Sequence, residues 1–126
     1  MKKILIVISD YYADISKSLL NNAKIELNNY SFKIIKVPGV FEIPITISKN
    51  INKYNGFIAL GCVIKGETPH FDFISIATTQ AIMSLSVKSK KPIGNGIITC
   101  LNKKQAKARG KKGKEAALAV ISILSQ

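Results

Sequence analysis

A chain of 126 residues, 47% of them hydrophobic, can build one core of ordinary size but not two, so a single domain over residues 1–126 is expected. The formal net charge of +12 raises the question of a nucleic-acid partner, yet the lysines run from Lys2 to Lys114 without aromatic interleaving and Arg109 is the only arginine. That spread describes a solvated basic surface rather than a nucleic-acid groove. No apolar run approaches the roughly 20 residues of a membrane span, and the run that follows Met1, Lys2 and Lys3 stops at Ser9 and Asp10, too early for a signal peptide. A cytoplasmic protein with no membrane partner is expected. Cys62 and Cys100 lie far apart in apolar stretches without metal-ligand spacing, which reads as buried thiols in a reducing compartment and no metal site.

Ile4, Leu5, Ile6, Val7 and Ile8 form a continuous run rich in β-branched residues and too short for a helix, the pattern of a strand buried on both faces. Ile15, Leu19, Ala23 and Leu27 then recur every four residues, predicting a helix from Asp14 to about Asn28 or Asn29. Phe32 to Lys36 is a second strand, broken by Val37, Pro38 and Gly39 before a helix that holds Ile45, Ile47 and Ile51, with Pro44 in its first turn. The most apolar stretch, Gly56 to Ile64, is the central strand. A helix from His70 to Val87 follows, and Pro92 opens a fourth strand, Ile93 to Cys100. Helical pattern returns over Lys103 to Arg109 and Lys114 to Leu124, with Gly110 and Gly113 as interruptions.

Alternating buried-type strands and helices predict an α/β fold: a three-layer α/β/α sandwich around a four-stranded parallel sheet, flavodoxin-like in build. In such sheets ligands gather beyond the carboxyl ends of the strands. Three loops lie there.

The loop from Lys65 to Asp72 is the richest. Thr68 suits an N-cap and Pro69 the first helical position, which together aim backbone N–H groups outward as an anion site. His70, the only histidine, sits in that first turn, a place that suits a neutral imidazole able to move protons. The equivalent loop after the second strand offers Phe41 and Glu42 near a helix start, where Glu42 serves either a ligand or the helix dipole. Tyr11 and Tyr12, after the first strand, can stack on a flat ring or simply pack. Arg109 is the one side chain fit for bidentate contact with phosphate, with Lys112 beside it.

Two stretches carry a resemblance. Val37, Pro38, Gly39, Val40, Phe41, Glu42, Ile43 and Pro44, and then Ala59 through Asp72, are similar in order and spacing to the signature segments of the 6,7-dimethyl-8-ribityllumazine synthases. The resemblance implies condensation of 5-amino-6-(D-ribitylamino)uracil with 3,4-dihydroxy-2-butanone 4-phosphate, giving the lumazine, phosphate and water, without metal or organic cofactor. It further implies that Tyr11, Val40, Phe41, Glu42, Cys62, Val63 and Ile64 line the ribitylaminouracil site and that Glu67, Thr68, Arg109 and Lys112 hold the butanone phosphate, with His70 transferring protons. Asn95 falls where many family members carry a phenylalanine over the ring, so an amide contact is expected in its place.

Asn95 lies near the amino end of its strand, while the other candidates lie beyond carboxyl ends. One subunit does not easily bring both to one ligand, which favours a homo-oligomer with sites between subunits, in line with the family's pentameric rings. The chain begins its first strand almost at Met1, and the segment between Arg109 and Lys112 is about four residues shorter than in many relatives, judged against usual loop lengths. Both features favour a free pentamer over a sixty-subunit shell. Two rivals share the data: a flavodoxin-like module that binds a flavin without chemistry, for which His70 has no use, and an RNA-binding domain driven by charge.

Overall fold

The structure, a computed structural model, describes residues 1–66 and 70–126. Four strands, β1 (Lys3–Ser9), β2 (Ser31–Val37), β3 (Gly56–Ile64) and β4 (Ile93–Cys100), form one parallel sheet in the order β2-β1-β3-β4. Ile6 faces Ile34 on one side and Ile58 on the other, so β1 is fully enclosed. Its residues 4–8 are all essentially buried, each worth about 1.5–3 kcal/mol of transfer free energy. α1 (Ala13–Ile25), α4 (Lys103–Lys107) and α5 (Lys112–Leu124) cover one face, and α2 (Ile43–Lys49) and α3 (His70–Ser89) the other. Each face owns a core. Ile15, Leu19, Ala23 and Leu27 pack with Ile4, Ile6, Ile58 and Leu60 on the first, and Ile43 and Ile47 pack with Leu5, Val7, Phe57 and Ala59 on the second. The predicted three-layer arrangement is the one observed, and β3 and β4 begin and end at the residues read from the sequence.

Three local readings need correction. α1 stops at Ile25, short of Asn28 and Asn29, because Glu26 and Leu27 turn their N–H groups back to Ala23 and Lys24. The tightened turn still drops Leu27 into the core, which is why the four-residue rhythm outlasts the helix. The helix expected over Ile45, Ile47 and Ile51 is shorter: a 3₁₀ turn, Val40–Glu42, leads into α2, Ile45 is exposed, and Ile51 lies in the following turn. Gly113 does not interrupt a helix. It is the second residue of α5, and a Cβ there would come within 2.0 Å of the carbonyl oxygen of Leu19, so the glycine is where α5 touches the backbone of α1. Gly94 performs the same service between β4 and α5, where a Cβ would meet the Ala116 carbonyl at 2.2 Å.

Two surfaces bear on the site. α3 carries apolar residues on more than one face: Thr78 and Ile82 face inward, while Phe73, Ile76, Met83 and Val87 form an outward stripe, each more than half exposed. β4 is a sheet edge. Asn95, exposed on it, turns its own Oδ1 to accept from Ile97 N at 3.0 Å and thereby blunts that edge.

Candidate active site

The carboxyl ends of β1 and β3 and the start of α3 enclose an open cleft of about 570 Å³. Its walls are built by the predicted loops. After β2, Gly39 stays extended and the chain winds into the 3₁₀ turn, placing Val40, Phe41 and Glu42 over the sheet. Gly61 makes this possible, since a Cβ there would lie 2.7 Å from Val40 Cγ1. Glu42 folds back, with Oε1 3.2 Å from where a Cβ of Gly39 would stand. Tyr11, 74% exposed, stands at the mouth edge-on to Tyr12, with ring centroids 4.9 Å apart. Cys62, Val63 and Ile64 form the end of β3 beneath, and His70, the first residue of α3, closes the far side.

The polarity of this cleft is uneven. Burial, reinforced by the neighbouring Cys100 thiol, pushes the Cys62 thiol up to about 12, so it contributes an uncharged wall rather than a nucleophile. Burial first, then Tyr11 and Cys62, raises the Tyr12 phenol, so it too stays neutral. Carboxylate and imidazole therefore stand out on a mostly apolar, aromatic lining. Such a pocket receives a flat, hydrogen-bonding ring and offers proton transfer at one side.

Arg109, Lys112 and Asn95 stand elsewhere. Arg109 and Lys112 belong to a second cleft, about 460 Å³, between the outer edge of β4 at Ile97, Ile98 and Thr99 and the turn of residues 108–111 that joins α4 to α5. Arg109 Nη1 donates to the Thr99 carbonyl at 3.2 Å and lies 3.7 Å from Cys100 Sγ, which pins one side of the guanidinium and leaves further N–H donors outward. Lys112 sits 3.9 Å from Glu115, an exposed pair of little energetic weight that an arriving anion would displace. The two clefts share no lining residue. Within one chain, then, the fold gathers Tyr11, Val40, Phe41, Glu42, Cys62, Val63, Ile64 and His70, and puts Asn95 on the free edge of β4 and Arg109 and Lys112 at the α4–α5 junction beside it. Glu67 and Thr68, with the expected Thr68 cap and Pro69 helix start, lie outside the described residues.

The sequence reading missed three lining positions, Ser9, Gly39 and Ile74, whereas Tyr12, weighed there beside Tyr11, does line the cleft. Ile74 follows His70 by four residues on the same helical face, a spacing that could have found it. Ser9 ends β1, and its buried hydroxyl makes no hydrogen bond among the described residues.

Comparison with known proteins is consistent along the whole chain. The family model described as 6,7-dimethyl-8-ribityllumazine synthase matches residues 1–126. Among similar curated proteins, the 6,7-dimethyl-8-ribityllumazine synthase of Bartonella bacilliformis is 42% identical, covering 95% of this chain and 88% of the relative. Those of Afipia carboxidovorans and Agrobacterium fabrum are each 40% identical, covering 97% and 96% of this chain and 83% and 91% of the relatives. A solved structure titled split gene transketolase, inactive beta4 tetramer, superposes with a TM-score of 0.56 at 13% identity over 98% of this chain and 40% of its own, a likeness of α/β fold alone. On the strength of the full-length family match and of these relatives, the chain belongs to the 6,7-dimethyl-8-ribityllumazine synthases, the enzymes of the penultimate step of riboflavin biosynthesis.

Proposed function

We propose that the His70 cleft is where 5-amino-6-(D-ribitylamino)uracil binds and meets 3,4-dihydroxy-2-butanone 4-phosphate. The observation that carries this assignment is the convergence of Tyr11, the Val40–Glu42 turn, the end of β3 and His70 on one open cavity of about 570 Å³, although they come from four separate stretches of chain. Tyr11 stacks on the pyrimidine, the 3₁₀ turn and the end of β3 bind its edges and side arm, and His70 moves protons. The ring amine attacks the ketone carbon and loses water to give an imine; the neighbouring carbon gives up a proton as phosphate is eliminated, the resulting enol becomes a ketone, and the second amine condenses with it, losing a second water as the new ring closes. Holding both reactants in one cavity lowers the entropic part of the barrier, worth up to about 7–11 kcal/mol in well-oriented pairs, while the imidazole adds roughly 10²–10⁴-fold. Neither metal nor organic cofactor takes part in this scheme.

The phosphate is held by Arg109 and Lys112 of a neighbouring copy, with Asn95 of that copy against the ring and Glu67 and Thr68 contributed by the chain that owns His70. Two observations support a shared site. Asn95 lies on the open edge of β4, and Arg109 and Lys112 lie at the α4–α5 junction beside that edge, outside the lining of the cleft they would serve, and α3, whose first residue lines that cleft, presents an apolar stripe of the kind that subunit contacts cover. A ring of five copies, each a single catalytic domain, satisfies both, and we place it in the cytosol, where two unpaired buried thiols persist. Among the described residues no helix is long and apolar enough to cross a membrane.

The test is direct. Protein mixed with the two substrates should yield fluorescent lumazine faster than buffer does, and native mass measurement should give five chains. Equal rates with and without protein would remove the catalytic assignment; a monomer with full activity would remove the shared site.

A further inference from the structure

The fold sorts charge that the sequence scatters. Nine lysines (Lys2, Lys3, Lys24, Lys33, Lys49, Lys53, Lys88, Lys90 and Lys91) fall at the amino end of the sheet or in the helix ends beside it, opposite the His70 cleft. Of the described carboxylates only Glu26, at the end of α1, shares that end. Asp10, Asp14, Glu42, Asp72 and Glu115 all follow strand carboxyl ends or sit in first helical turns.

Part of this excess has an evident purpose, because helix C-termini with their partial negative charge collect here. Lys2 Nζ donates to the Leu124 carbonyl at 2.7 Å and Lys91 Nζ to the Ile51 carbonyl at 2.6 Å, while Lys24, Lys49 and Lys88 occupy last helical turns. Lys3, Lys33 and Lys53 do none of this. They line one cleft of about 320 Å³ with Ser31, Phe32 and Tyr54, and among the described residues they have no ion pair. The cleft is built rather than incidental. Lys3 N donates to Asn55 Oδ1 at 2.8 Å and Asn55 N to the Lys3 carbonyl at 2.8 Å, which ties the base of the cleft to the start of β3. Tyr54 is fixed edge-on against the buried Phe57.

We propose that this cleft is a second anion site, which takes a small phosphorylated molecule carrying two or more negative charges. Three ammonium groups around one hollow repel one another, and a multivalent anion relieves that repulsion while accepting their hydrogen bonds. The volume lies at the low end for ligand pockets, which selects a phosphate ester or pyrophosphate over a polymer. The Ser31 and Tyr54 hydroxyls add neutral donors that suit phosphoryl oxygens.

Inorganic pyrophosphate is the probe, titrated calorimetrically into protein carrying Arg109→Gln so that the catalytic phosphate contacts are weakened. One saturable event per chain is expected. Adding Lys33→Gln and Lys53→Gln should weaken it about tenfold or more, with unchanged circular dichroism; the same pair in an otherwise natural chain should leave lumazine formation intact. Equal affinity with and without the lysine changes would overturn the proposal, as would no saturable event. Tight binding of a single-stranded oligonucleotide where pyrophosphate fails to bind would also overturn it, in favour of a polymer-binding face. Should the lysine pair unfold, Tyr54→Phe with Ser31→Ala serves instead, and an unaltered pyrophosphate affinity there would likewise count against the site.

Discussion

The two clefts at the carboxyl side of the sheet differ in kind. The His70 cleft is walled by aromatic and aliphatic groups with one carboxylate and one imidazole among its described lining; the Arg109 cleft sets Arg109, Lys111 and Lys112, with Glu115, against a sheet edge. Neither holds a full set of groups for joining a ring diamine to a phosphorylated ketone. Among the described lining residues, the first holds no lysine or arginine for the leaving phosphate, and the second holds Glu115 but no imidazole and no aromatic platform. On the proposed reading each chain carries two halves of different sites, which meet at a junction between copies.

The largest expected effect comes from emptying the first half. His70→Ala should lower kcat by roughly 10²–10⁴-fold in the lumazine fluorescence assay while native mass stays unchanged, and wild-type turnover in that variant would refute the role given to the imidazole. Next is the wall between the halves. With its thiol near 12 instead of 9.0, Cys62 holds about a thousandfold less thiolate at pH 8, so iodoacetamide labelling of folded protein should be slower than that of unfolded protein by a similar factor. Rapid modification of Cys62 in the native state would mean that the end of β3 is open.

Smaller effects address the second half. Removing the guanidinium with Arg109→Ala deletes charge-assisted bonds worth about 1.5–3 kcal/mol, so KM for the butanone phosphate should rise about 10–100-fold with the ribitylaminouracil requirement little changed. An unmoved KM would leave Arg109 without a ligand. The sharpest discrimination has the smallest amplitude: co-refolding equal amounts of His70→Ala and Arg109→Ala chains should restore about a quarter of wild-type sites if each site draws on two copies. No recovery is expected if a single chain supplies both groups.

Much of this arrangement was legible from residue order. β3 and β4 could be bounded because Asn55, Lys65 and Pro92 interrupt apolar runs sharply, and a run of that length and composition has few alternatives in an α/β chain. The His70 cleft was legible for a related reason: strand ends in a parallel sheet point to one place, so three loops found separately had to meet. Gly113 was misread because a glycine in a helix and a glycine between helices look the same in one dimension; only the approach of Leu19 tells them apart. The cleft of Lys3, Lys33 and Lys53 was hidden for the same cause. Its members come from two paired strands and a turn, and no local spacing relates them.

Because the ammonium of Lys2 grips the carbonyl of Leu124 at 2.7 Å, the start of the first strand and the end of the last helix lie side by side, at the end of the sheet opposite the His70 cleft. Labels placed beside Lys2 and Leu124 would report on each other across that flank while standing clear of the proposed substrate cleft.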